Sequence, residues 1–165
     1  MSEITVVEVG VPGPQGPAGS VIPTYARITG DNNGFGTAAF SVAMPTANQH
    51  YPIASPVLTG SISNNAMAGT GSILVQQSGT YVLSYTLSVF PSVADHFHIH
   101  AHRNGQNMIE TELENQFANA NDVQNVGKST IVNLNAGDYL DLYVHTDSNN
   151  RTLNIAHYNF HIQKL

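Results

Sequence analysis

From residue 25 onward, apolar and polar residues alternate in short runs cut by Gly, Asn, Asp and Pro, which is the two-residue period of β-strands; no stretch holds a helical period. Runs at 25–29, 37–44, 60–63, 72–76, 80–90, 97–102, 108–113, 129–135, 139–146 and 153–163 predict about ten short antiparallel strands, an all-β sandwich or jelly roll. The alternation also assigns faces. In 80–90, Tyr81, Leu83, Tyr85, Leu87 and Val89 share the side expected to be core. In 139–146, Leu140, Leu142 and Val144 point inward, which turns Tyr139 and Tyr143 outward as an expected subunit interface, which the glycine triplets at 10–19 make a trimer interface. In 97–102 the core row is Phe97, Ile99 and Ala101, and His96, His98, His100 and His102 project from the other side. Asn104-Gly105 predicts a type I′ hairpin turn, since both residues tolerate positive φ, and residues 135–138 mark a second tight turn.

The first 23 residues follow a different pattern, with glycine at every third position, Gly10, Gly13, Gly16 and Gly19, and prolines between. Only glycine fits the axis of three wound chains, so this is a collagen-like neck, extending about 28 Å at roughly 3.1 Å per residue. A shapeless Gly/Pro linker has the same composition. Before it, Ile4, Val6, Val7 and Val9 place apolar side chains on both faces of a β-prone segment; such a segment cannot bury itself in a neck and is expected to anchor on another protein. The predicted organisation is an anchoring arm at 1–9, the collagen-like neck at 10–23 and one jelly-roll head at 24–165.

The charge balance changes the list of partners. Only 10% of residues are charged and the formal net charge is −6, which disfavours nucleic acid and anionic membranes. Protein surfaces, other copies of the chain and host surface glycans remain. There is no cysteine, so neither disulfides nor thiolate sites are available, and the N-terminus lacks the basic start and apolar run of a signal peptide. Synthesis in a cytoplasm is expected.

The most chemical stretch is the histidine row. Imidazoles at i and i+2 can chelate zinc or nickel, with His145, His157 and His161 as further ligands from other strands. The commoner fate of surface histidines is a polar strand face, so the expectation is no metal, no cofactor and a pH-sensitive row, His96, His98, His100 and His102, whose protonation toward pH 5 would offset the negative charge. Asp31 with Asn32 and Asn33, and Asp147 with Asn149 and Asn150, offer oxygens to calcium, but turn chemistry accounts for both clusters. Glu110, Glu112 and Glu114 are spaced like a solvated strand face. No Gly-x-Ser-x-Gly elbow, His-Glu-x-x-His helix or phosphate-cradling loop is present, and no enzymatic activity is expected.

Several segments, taken in order, resemble the trimeric jelly roll of the complement globular heads, which is related to the tumour necrosis factor fold. They are AFSVAM at 39–44, SGTYVLSYTLSV at 78–89, HRNG at 102–105, VNLNAGDYLDLYV at 132–144 and the closing NFHIQKL from Asn159. The resemblance spans roughly residues 37–165 and implies a homotrimer, in which stalk and head specify the same three-chain stoichiometry. It also implies an outer position for the histidine strand, where the row meets solvent or a partner. Behind collagen triplets without an export signal, such a head resembles bacteriophage fibres. The expected function is therefore a virion structural protein, a capsid decoration (cement or head-fibre) protein whose arm docks on the major capsid protein or another virion protein. A tail-fibre tip recognising a host glycan or protein is the alternative, and a secreted or spore-surface collagen-like protein is disfavoured.

Overall fold

The computed structural model describes residues 23–31, 37–55, 57–63, 65–68 and 71–165. The anchoring arm with Ile4, Val6, Val7 and Val9, the neck glycines Gly10, Gly13, Gly16 and Gly19, and Asn32 and Asn33 lie outside the described residues. Thirteen strands are described: β1 (Tyr25–Asp31), β2 (Phe40–Met44), β3 (Tyr51–Pro52), β4 (Thr59–Ser63), β5 (Asn65–Ala68), β6 (Ser72–Val75), β7 (Gly79–Pro91), β8 (Asp95–Arg103), β9 (Gln106–Asn107), β10 (Leu113–Phe117), β11 (Gln124–Leu134), β12 (Tyr139–Thr146) and β13 (Arg151–Lys164). They form two antiparallel sheets. The first runs β11-β7-β13-β1-β4 with β2 added on β13; the second runs β10-β8-β12-β6-β5 with β3 on β12 and β9 on β8. Neighbours far apart in sequence, such as β7 with β13 and β8 with β12, give the crossed connections of a jelly roll.

The two predicted core rows meet between the sheets. Tyr81, Leu83, Tyr85, Leu87 and Val89 of β7 face Phe97, Ile99 and Ala101 of β8 and Leu140, Leu142 and Val144 of β12, all at most 1% exposed. Tyr85 joins the layers: its hydroxyl lies 2.9 Å from the Ile99 carbonyl and 2.8 Å from the Thr111 carbonyl and donates to that pair. In β13 the inward set is Leu153 and Ile155 and then Tyr158, Phe160 and Ile162. A bulge between Ile155 and His157 absorbs Ala156 and shifts the parity by one, which strict alternation does not provide. Gly127 of β11 crosses β7 closely enough that a Cβ would stand 2.6 Å from the Tyr85 carbonyl oxygen. Asn104 (φ 54°) and Gly105 (φ 78°) make the expected turn.

One predicted strand is corrected. Residues 108–112 do not form a strand; Ile109–Thr111 form a 3-10 turn and the strand follows at Leu113–Phe117. The cause is Thr111, fully buried, whose hydroxyl donates to the Met108 carbonyl and accepts the Ala101 N–H. Glu110, Glu112 and Glu114 therefore do not share one strand face.

Candidate functional site: histidines roofed on the second sheet

β8 is anchored at its first residue. The Asp95 carboxylate accepts hydrogen bonds from the His96 N–H at 2.8 Å, the Thr146 hydroxyl at 3.1 Å, the Ser148 hydroxyl at 3.3 Å and the Arg151 guanidinium. These tie the start of β8 to the end of β12 and the start of β13. Burial pulls the Asp95 pKa up, but the four hydrogen bonds outweigh it and hold the carboxyl below its ordinary range.

The outward row of β8 then meets the outward row of β12, with His98 opposite His145, His100 opposite Tyr143 and His102 opposite Asp141. A third contributor comes from far away in sequence. The chain leaves β2 in the first sheet and crosses to β3 on the second through residues 45–50, carrying His50. Asn48, at φ 58°, gives its N–H to the Thr146 carbonyl at 2.8 Å; the Ala47 N–H bonds the Asn149 side chain at 2.8 Å; and the Ile53 N–H bonds the Leu142 carbonyl at 2.8 Å. So pinned, His50 lies over the row. Its ring stacks on His145 (centroids 4.5 Å apart, 8° between planes), His145 stacks on His98 (4.3 Å, 9°), and Tyr143 stacks on His102 (3.8 Å, 11°).

The row was expected to face solvent, and most of it does not. His96 is partly exposed, but His98, His100 and His102 are 9%, 0% and 6% exposed, because their own chain roofs them. Their titration changes accordingly. Burial, and after it the neighbouring His50 and His102, pushes His100 down to about 3. His102 is lowered by burial and by His50, and His145 by burial, His98 and His50. His100 thus stays neutral at pH 5, and the row does not reverse the surface charge as a unit.

Three groups bring imidazole nitrogens and carboxylate oxygens within 4.8 Å of one another: His50, His100 and His102; His98, Glu112 and His145; and His96, His98 and Asp147. Of the additional ligands anticipated, His145 joins. His157 and His161 do not: they sit on the first sheet, His157 paired with Asp31 at 2.8 Å and His161 beside the Ser84 hydroxyl at 3.0 Å. His50 and Glu112 were missed: His50 lies in a polar connection without periodic signal, and the two-residue spacing of Glu110, Glu112 and Glu114 read as a solvated strand face. Tyr139 is exposed at 42%, whereas Tyr143 is half-buried against His102, so the two outward tyrosines are not equivalent.

No protein-family profile matches the chain, and no curated protein matches it. Among solved structures, the chain is similar to the Eiger TNF from S. frugiperda, with a TM-score of 0.63 and 13% identity over 87% of this chain and 93% of that one. At that identity the likeness is one of fold, and the fold of this chain is a tumour-necrosis-factor-like jelly roll.

Proposed function

We propose that the chain is a structural, non-catalytic protein of a bacteriophage particle: a homotrimeric head that decorates the capsid, docked by its N-terminal arm on the major capsid protein or another virion protein. The observation that carries this reading is the order of its parts. Gly10, Gly13, Gly16 and Gly19 sit directly before a tumour-necrosis-factor-like jelly roll, and a glycine in every third place serves three chains wound on one axis. Three triplets are too few to hold a trimer, so association belongs to the head. We place it on the outward face of the first sheet and not at Tyr139 and Tyr143 of the second, because Gly127 and the small side chains of Ser84, Thr86 and Ser129 on the paired strands β7 and β11 let another sheet approach closely. The corresponding face of the second sheet is already occupied by its own histidines and His50. A trimer bound to the shell and not to free subunits stabilises the shell by mass action.

Two measurements test this. Light scattering should give three times the 17.6 kDa chain mass, and a single-chain mass overturns the trimer. A phage lacking the chain should adsorb normally but release DNA at lower temperature; a heat-resistant phage that fails to adsorb overturns decoration in favour of a tail tip.

A further inference from the structure

We propose that His50 Nδ1, His100 Nε2 and His102 Nε2 form a site for one divalent transition-metal ion of the zinc class, which fastens the crossing segment at residues 45–50 to β8. The three nitrogens make a nearly equilateral triangle. His50 to His100 is 3.0 Å, His50 to His102 is 3.1 Å and His100 to His102 is 3.1 Å. Zinc–imidazole bonds are about 2.0–2.1 Å, so an ion about 1 Å above the plane reaches all three at angles of roughly 95–100°, a facial tripod between tetrahedral and octahedral.

Protons do not satisfy this triangle. Each nitrogen either carries a hydrogen or offers a lone pair, and among three mutually close atoms at least two must be alike. One edge is therefore always hydrogen against hydrogen or lone pair against lone pair, in a place where His100 is fully buried and His102 is 6% exposed. A cation is the one partner that takes three converging lone pairs at once. The neighbouring His98 differs on this point: its Nδ1 lies 3.0 Å from the Glu112 carboxylate, and a single proton satisfies that pair. The donor set selects the metal class. Three imidazoles without a bound carboxylate suit zinc, nickel, cobalt or copper and do not suit calcium or magnesium, which take oxygen ligands. The entry side is His50, which is only half-buried.

The site would staple two parts distant in sequence. His50 lies on the connection leaving the first sheet, and His100 and His102 lie on the second, so an ion there closes the crossover. In a chain without cysteine this is the cross-link that side chains can still provide.

The test uses the full chain stripped with chelator. Titration with Zn²⁺ should give one equivalent bound per chain, and at about a hundredfold excess over the dissociation constant the Tm should rise by roughly 5–10 °C. Co²⁺ should give visible d–d bands, and Zn²⁺ should abolish them. His50→Ala, at the rim, leaves the buried pair in place and keeps the unliganded fold; it should weaken Zn²⁺ binding at least about a hundredfold, whereas His157→Ala on the first sheet should bind like the native chain. A native chain that binds no Zn²⁺, or a His50→Ala chain that binds it equally well, overturns the site. None of these readouts depends on trimerisation or on a virus particle.

Discussion

The outward faces of the two sheets are built on the same alternation and end in opposite states. On the first sheet, Thr86, Ser129 and Asn125 stand clear of their own chain. On the second, His98, His100 and His102 occupy equivalent positions and are buried. A two-residue period tells which side of a strand avoids the core; it does not tell whether something else covers that side. The cover here is His50, about 50 residues before the row it closes, with Tyr143 and His145 from β12.

The largest effect that separates the two faces concerns their carboxylates. Asp95 closes the end of the roofed row and accepts four hydrogen bonds, while Asp31 pairs with His157 in a bridge whose side chains are 55% and 52% exposed. Asp95→Ala leaves the Arg151 guanidinium and three other donors without their acceptor and should cost about 2–3 kcal/mol. Asp31→Ala should cost less than about 0.5 kcal/mol, as exposed pairs do. Urea unfolding of the two variants at pH 7 measures the difference; equal midpoints would mean that the second sheet is no more tightly closed than the first. The pH dependence has a definite sign. The folded pKa of Asp95 lies below that of the unfolded chain, so its contribution is complete above about pH 4 and fades only as pH falls below that.

The same contrast explains what was legible in the sequence. The strand at Tyr139–Thr146 and the inward rows of β7, β8 and β12 were readable because local alternation and core burial are one signal when a strand has a single covered face. The Asn104-Gly105 turn was readable because its positive φ angles demand those residues. The 3-10 turn at Ile109–Thr111 was not: it is set by hydrogen bonds of the Thr111 side chain to residues on β8 and at Met108, while the spacing of Glu110, Glu112 and Glu114 imitates a strand. His50 was illegible for a related reason. It lies in a polar connection, and its meaning comes from backbone bonds to Thr146 and Asn149 that pin the segment across the second sheet.

A smaller effect probes the outward side chains themselves. Tyr143 on β12 stacks on His102 with ring centroids 3.8 Å apart, and Ser129 on β11 is exposed. Tyr143→Ala should cost about 1–2 kcal/mol through lost ring contact and burial, and Tyr143→Phe should recover most of it. Ser129→Ala should stay within about 0.5 kcal/mol. If Tyr143→Ala proved as mild as Ser129→Ala in the same unfolding experiment, the stack would contribute nothing and the roof would rest on the loop alone.

The smallest effect comes from the one histidine of the open face that resembles the roofed row. His161 projects outward from β13 between Arg27 of β1 and Ser84 of β7, its Nδ1 3.0 Å from the Ser84 hydroxyl. Burial lowers its pKa, and the Arg27 charge lowers it further. On the same face, Tyr25 lies beyond Arg27, and His157 and Asp31 hold each other. Because the folded pKa lies below the unfolded value of about 6.5, the unfolded chain takes up the proton first as the solution is acidified. The contribution of His161 is therefore complete above about pH 6.5 and is lost as pH falls below it. His161→Gln keeps a polar side chain able to reach Ser84 and removes the titration. At pH 8 the variant and the native chain should unfold at nearly the same urea concentration; by pH 5.5 the native chain should have lost more of its stability than the variant, by a small margin because His161 is only partly buried. His100, His102 and His145 of the second sheet, whose pKa values are also lowered, contribute the same acid loss to both proteins and cancel in the difference. Two pH curves that stay parallel from 8 to 5.5 would show that His161 contributes no acid sensitivity, and that its likeness to the roofed row ends at its partial burial.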